Sequence, residues 1–374
     1  MRVAVVVEQC WHRVPGGTAG AVIDQVAAVA VTGRVEQIGV AARHTRPPAE
    51  PWRPAIPVRH LPLPRAALYR TWHRWRRPSV ERATGPIDVV HATGYAIPPR
   101  PPPLVVTMHD LAWRRDPSMF TANGVRFFEA GLRCVVADAD LVLCPSHATL
   151  EDCAAAGIED DRLRHVPWGM DGGSLGEVTE AEVARVRRAH GLDGRYVLSV
   201  GTLEPRKNLP GLLDAFARLM ADGGGRHADV TLAVVGPAGW GESLSEPVAR
   251  LGDRVRTVGF VPRGDLAPLY RGAAVVCYPS LWEGYGLPVA EALAAGAPVV
   301  TSAGTATEEL VTGGAGLAVD PRDPDAIAGA LARVLDDDDL ADRLRRAARK
   351  RAAESTWATT AALTIAAYDE AAGG

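Results

Sequence analysis

Short runs rich in β-branched residues recur along this chain at Val3–Val7, Val89–His91, Leu104–Met108, Leu141–Cys144, Tyr196–Val200, Thr231–Val235, Val275–Tyr278 and Pro298–Thr301, with stretches of helical periodicity between them. Strands apolar on both faces must be covered on both faces, so the alternation predicts α/β architecture with parallel sheets between layers of helix. The first four runs fall in one half of the chain and the last four in the other. Between them lies V-P-W-G-M-D-G-G-S, Val166–Ser174, with the glycine density of a linker or hinge. At 374 residues the chain is long for one core and suits two. The expectation is two Rossmann-like domains, 1–170 and 171–354, with their sheets facing across a cleft. An Ala-rich helical pattern, Glu354–Ala371, closes the chain.

Other segments are read as connections. Arg46–Pro64 and Pro98–Pro103 are expected to be extended and on the surface, and Asp336–Asp339 to be a solvated turn between helices. Arg65–Arg82 places Leu68, Trp72 and Trp75 at helical spacing among Arg65, Arg70, Arg74, Arg76, Arg77 and Arg82. A basic aromatic helix of this kind can lie on an anionic membrane. The reading preferred here is an amphipathic helix whose Leu/Trp stripe packs on the sheet and whose arginines face water.

A formal net charge of -3 and 23% charged residues give no reason to expect a nucleic-acid partner. Cys10, Cys134, Cys144, Cys153 and Cys277 lack C-x-x-C spacing, which argues against a disulfide framework or a zinc site and for a reducing compartment. The apolar run before Glu8 is too short for a signal peptide, and Thr18–Thr32 is interrupted by Asp24 and Gln25. A cytoplasmic protein is expected, with peripheral contact at the inner face of a membrane left open.

The segment Tyr278–Val300, Y-P-S-L-W-E-G-Y-G-L-P-V-A-E-A-L-A-A-G-A-P-V-V, carries Glu283 and Glu291 with seven residues between them. Gly284 and Gly286 allow a tight loop around Glu283. Pro288 suits the first position of a helix running to Gly296, which puts Glu291 in the first helical turn, beside free amides and the positive end of the dipole. Such a stretch can hold an anion and present carboxylates to hydroxyls, the demands of a sugar nucleotide. A buried strand, an ordinary loop and a solvated Glu is the competing description. After Tyr196–Val200 comes G-T-L-E-P-R-K-N-L, where Gly201 allows a turn and Arg206 and Lys207 offer a planar fork and a point charge that suit a diphosphate. A solvated basic loop with Asn208 as helix N-cap is the plainer alternative.

The Glu283–Glu291 segment resembles the E-x7-E motif of the retaining glycosyltransferases of family 4, nucleotide-sugar enzymes of the GT-B architecture. The resemblance covers nearly the whole chain and is strongest over Gly201–Asn208 and Ser280–Val300. It implies that Glu291 binds the ribose hydroxyls, Glu283 the donor sugar, and Arg206 and Lys207 the diphosphate, with Gly284, Tyr285, Gly286 and Leu287 in the donor loop. His109, in H-D-L after the third run, is similar to the family's acceptor-domain His and would support an oxocarbenium-like transition state. The paired Gly16–Gly17 matches the family's first loop, which brings Gly17 towards the donor; an ordinary strand-to-helix turn describes it equally well, and no G-x-G-x-x-G fingerprint is present. Phe260 and Val261, in G-F-V-P-R, are the implied neighbours of the nucleobase or else core residues. The terminal helix, 355–374, would cross back onto the first domain. Trp168 replaces the family's hinge Asn, and Ser146-His147 stands where Ser-Glu is common.

The function so implied is retaining transfer of a mannose- or glucose-like hexose from a nucleoside diphosphate sugar to an acceptor hydroxyl, the H-D-L-A-W context resembling the mannosyltransferase group. The acceptor is a saccharide, a lipid-linked or a small molecule. No cofactor or metal is implied, because no D-x-D follows a strand and cations with helix amides can neutralise the leaving group. Retention proceeds either through a covalent intermediate on Glu283 or, as the family favours, on one face with the leaving phosphate taking the acceptor proton. A Rossmann-type epimerase or oxidoreductase and a silent sugar-nucleotide-binding subunit are the alternatives.

Overall fold

The computed structural model describes residues 1–12, 15–100, 102–170, 178–222, 224–239 and 245–373. The chain divides into two compact units, Met1–Gly169 with Thr356–Gly374, and Met170–Ser355. The first holds seven strands: β1 (Arg2–Val6), β2 (Glu36–Ala41), β3 (Val58–His60), β4 (Val89–Ala92), β5 (Leu104–Thr107), β6 (Leu141–Cys144) and β7 (Leu163–His165). They form one parallel sheet in the order β3-β2-β1-β4-β5-β6-β7. The second holds β8 (Tyr196–Val200), β9 (Thr231–Val235), β10 (Val255–Gly259), β11 (Val275–Tyr278), β12 (Val299–Ser302) and β13 (Leu317–Val319). These are also all parallel, in the order β10-β9-β8-β11-β12-β13.

Alternation along β1 explains why the run is apolar throughout. Ala4 and Val6 join Val90, Val106 and Val142 in one core, with Leu68 and Trp72 from helix α2 (Arg65–Trp75). Val3 and Val5 join Val89 and Val105 in the other, against Val22, Val26 and Val29 of helix α1 (Gly16–Val31) and against Ala361, Ile365 and Tyr368 of the helix Trp357–Gly373. Successive residues of a strand face opposite ways, so both must be apolar when both faces are covered. Each Val or Leu buried this way contributes roughly 1.5–3 kcal/mol.

The helix Trp357–Gly373 is bound into the first unit by polar contacts as well. Tyr368 Oη lies 2.7 Å from His91 Nδ1, Gln25 Nε2 donates to Thr364 Oγ1 at 3.0 Å, and Thr360 Oγ1 donates to the Pro167 carbonyl at 2.7 Å. All five cysteines are free and buried. Among the described residues no helix is long and apolar enough to cross a membrane.

Several sequence expectations need correction. Val58–His60, within the stretch read as a surface connection, pairs with β2 as a strand. The Arg65–Arg82 helix ends at Trp75, where Arg76 turns left-handed at φ 50°. Leu68 and Trp72 of its apolar stripe are fully buried, but Trp75 is 58% exposed and does not pack on the sheet. Of the Val166–Ser174 hinge, residues 171–174 lie outside the described residues.

Candidate functional site

In the second unit the strand order reverses between β8 and β11. Open α/β sheets bind ligands beyond the carboxyl ends of strands at such a point. The chain leaving β8 turns at Gly201, whose amide donates to the Val235 carbonyl at 2.9 Å. Gly236 follows β9 at φ 146°, and a Cβ there would lie 1.9 Å from the Gly201 carbonyl oxygen. Only glycine lets these strand ends approach so closely. Pro205–Lys207 then forms a single 3-10 turn, and the Leu281 amide donates to the Arg206 carbonyl at 2.8 Å, tying this turn to the loop after β11.

That tie brings Arg206, Lys207 and Glu283 together. Arg206 Nη1 donates to Glu283 Oε2 at 2.6 Å and to the Trp282 carbonyl at 3.0 Å, while Nη2 donates to Glu204 Oε1 at 2.8 Å. Lys207 Nζ donates to Glu283 Oε1 and to Tyr278 Oη, both at 2.6 Å, and Tyr278 Oη in turn donates to Glu283 Oε1 at 2.9 Å. Glu283 is buried. Burial would raise its carboxyl, but the charges of Arg206 and Lys207 outweigh burial and hold it down at about 2. Lys207 is itself pushed down, by burial first and by Arg206 next, which Glu283 and Glu204 offset only in part. With Nζ 2.6 Å from a carboxylate, the ion pair is intact at neutral pH. Two cations and the carboxylates of Glu204 and Glu283 thus balance one another in a single set of ion pairs.

Gly286, at φ 99°, ends the loop, and a Cβ there would lie 2.4 Å from Thr307 Cγ2. The helix that follows is Leu287–Ala294, with Gly286 as N-cap and Pro288 at its second position. Glu291 therefore lies in the second turn, a correction to the first-turn placement drawn from Pro288. Its carboxylate accepts a hydrogen bond from the buried Tyr270 hydroxyl at 2.8 Å. Asn208 does not have the extended backbone of an N-cap: it is left-handed at φ 53°, and its side-chain Nδ2 donates to the Pro321 carbonyl at 2.6 Å. After β10, Phe260 is 68% exposed while Val261 is buried. Tyr285 is buried and Leu287 half-buried in the Glu283 loop.

His109 and Gly17 belong to the first unit. Gly17 is the second residue of α1. His109 follows β5 and donates from Nε2 to the Thr93 carbonyl at 2.8 Å. That bond assigns the proton to Nε2 and leaves Nδ1 as a buried lone pair with no hydrogen-bond partner among the described residues. Burial lowers the His109 pKa, with the Thr93 carbonyl and Asp110 opposing it, so the ring is neutral. His91 is enclosed between Tyr368 Oη and Thr107 Oγ1.

Sequence reasoning missed Glu204, Tyr270 and Tyr278. Glu204 stands two residues before Arg206, so its signal was local. Tyr278 ends β11 five residues before Glu283, so its signal was local too, whereas Tyr270 reaches Glu291 from the helix Arg263–Gly272, 21 residues away.

The description "Glycosyltransferase Family 4" matches residues 21–172, and "Glycosyl transferases group 1" matches residues 181–351. The chain is 31% identical to the O-antigen chain mannosyltransferase B of Escherichia coli, over 75% of this chain and 74% of that protein. It is 31% identical to the D-inositol 3-phosphate glycosyltransferase of Acidothermus cellulolyticus, over 96% of this chain and 87% of that one. The chain belongs to glycosyltransferase family 4. This glycosyltransferase also shares its fold with solved GT-B structures. HepE of Anabaena, crystallised with UDP and glucose, matches 98% of each chain with a TM-score of 0.74 at 21% identity. WaaG, a glycosyltransferase of lipopolysaccharide biosynthesis, covers 100% of each with a TM-score of 0.74 at 18% identity.

Proposed function

We propose that this glycosyltransferase is a retaining hexosyltransferase that moves a mannose- or glucose-like sugar from a nucleoside diphosphate donor to an acceptor hydroxyl. The observation that carries the reading is the seat of Glu283 between Arg206 and Lys207 where β8 and β11 end. A donor diphosphate needs two cations held in place before charge develops, and a sugar needs an ionised carboxylate to accept from its hydroxyls. In this reading Arg206 and Lys207 take the diphosphate, Glu283 the hexose hydroxyls and Glu291, steadied by Tyr270, the ribose. Gly201, Gly284, Tyr285, Gly286 and Leu287 shape the donor loop, Phe260 and Val261 neighbour the base, and Gly17 serves the first-unit loop. The sugar of the HepE complex and the mannosyl- and inositol-phosphate acceptor names among the relatives favour a hexose and a saccharide, lipid-linked or small polar acceptor.

Retention follows a same-face course. The bond from the anomeric carbon to the diphosphate oxygen breaks, the acceptor oxygen bonds from the same side, and the departing phosphate oxygen takes the acceptor proton. His109, neutral and with a buried lone pair on Nδ1, orients a substrate hydroxyl and supports the developing positive charge. The leaving group is neutralised by Arg206, Lys207 and loop amides, so the reaction needs no metal and proceeds undiminished in EDTA. We place the enzyme in the cytoplasm, consistent with free thiols throughout the chain.

The test is a thermal-shift and turnover screen across nucleotide sugars, followed by Arg206→Ala on the donor it selects. Loss of a leaving-group contact lowers kcat by about 100-fold. An unchanged rate removes Arg206 from the site, and binding without turnover of any donor leaves a silent sugar-nucleotide binder instead.

A further inference from the structure

The end of α2 carries a feature the donor chemistry does not use. From Arg65 to Arg82 the sequence holds six arginines and a single acid, Glu81. The nearby Arg53 and Arg76 pair with Glu50 and Asp138. Arg70, Arg74, Arg77 and Arg82 are exposed, and among the described residues none has a carboxylate within ion-pair distance. Arg70 and Arg74 share one helical row, and Thr71 and Trp75 the adjacent one. Beside them opens a cavity of about 500 Å³ lined by Pro62, Leu63, Trp75, Pro78, Arg77 and Arg82 among others. Trp75 stands at its edge, 58% exposed.

An exposed Trp ringed by unpaired arginines is poorly suited to water and poorly suited to a protein partner. A stable protein interface needs about 800 Å² of complementary surface on each side, and the apolar part here is one indole with Pro62, Leu63 and Pro78. The combination matches a lipid surface, where an indole sits at headgroup depth and arginines meet phosphates without a fixed geometry. We propose that this face of the first unit docks on an anionic bilayer, with Trp75 at the interface and Arg70, Arg74, Arg77 and Arg82 on headgroup phosphates. The proposal stands apart from the donor site and would survive its failure.

The experiment is co-sedimentation of the full chain with phosphatidylcholine vesicles, with and without phosphatidylglycerol. Binding is expected only with phosphatidylglycerol and falls steeply at about 0.5 M salt. Each arginine changed to Ser weakens it about fivefold, so Arg74→Ser/Arg77→Ser loses about 25-fold. Trp75→Ala weakens it with the salt dependence unchanged, and Trp75→Phe restores part of the loss. Because these side chains are exposed, the melting temperatures stay at the parent value. No pelleting with phosphatidylglycerol, equal pelleting with neutral vesicles, or variants that pellet like the parent each overturn the proposal. Retention of duplex DNA with no vesicle binding reassigns the patch to nucleic acid and overturns it too.

Discussion

Glu283 accepts from Arg206 and Lys207 at 2.6 Å each, in a site nearly closed to water. A buried carboxylate in that position is worth most when charged, and removing it leaves Arg206 and Lys207, two buried cations, to share the carboxylate of Glu204. Glu283→Gln is therefore expected to lower stability by about 3–5 kcal/mol at neutral pH, measured by urea unfolding. The pH dependence has a defined sign. The folded-state pKa of about 2 lies below the ordinary 4.5, so the stability it brings is complete above pH about 4.5 and is lost as pH falls through about 2. That loss amounts to about 3 kcal/mol in the parent, and the Gln variant lacks it. Tyr270 acts at a smaller scale. Tyr270→Phe removes the hydroxyl that holds Glu291 and weakens donor binding about tenfold with kcat little changed, read by comparing KM with kcat.

Among the elements, the Glu283 loop depends on Gly286 for two separate reasons. Its φ of 99° disfavours any side chain, and Thr307 Cγ2 fills the space a Cβ would take. Gly286→Ala is expected to cost about 2–4 kcal/mol, and adding Thr307→Ser restores only the part due to the clash, as urea unfolding of the single and double variants will report. The same loop marks what could be read from sequence. The glycine, the proline and the two glutamates announced a loop entering a helix, but not that Leu287 begins it and carries Glu291 into the second turn. The central strands β1, β4, β5, β6, β8, β9, β11 and β12 were legible because burial on both faces makes them uniformly apolar. The edge strands β3 and β7, with Arg59, His60, Arg164 and His165 in three-residue runs, carry no such signal. Trp75 misled for a related reason: helical spacing gave it a place in the apolar stripe, but it is the last residue of α2, next to the left-handed turn at Arg76, and is left exposed. Tyr270 was illegible as a site residue because Glu291 lies 21 residues on in another helix, and Lys207 meets Tyr278 only through the order of β8 and β11.

In the whole molecule, the two units are expected to differ in acid sensitivity. His91, enclosed in the first, is pushed down to about 3 by burial and then by His109. A depressed His contributes stability that is complete above pH about 6.5 and is lost as pH falls through about 3. The first unit should begin to loosen at a higher pH than the second, as hydrogen exchange at pH about 6 and about 4 would resolve. Removing residues 357–373 takes Ala361, Ile365 and Tyr368 from the first core and leaves His91 without its tyrosine. The expected result is loss of cooperative unfolding in Met1–Gly169 with Met170–Ser355 still protected from exchange.

The first unit is built from both ends of the chain. During synthesis its sheet is made first, yet the face carrying Val3, Val5, Val89 and Val105 is completed only when the helix Trp357–Gly373 joins α1 on it, after Met170–Ser355 has been made. Met170–Ser355 is contiguous and can finish folding in the meantime. A chain that stops short of Trp357 consequently leaves that row of valines half-covered, with α1 in place and its second helix missing, which gives chaperones and proteases apolar surface to recognise.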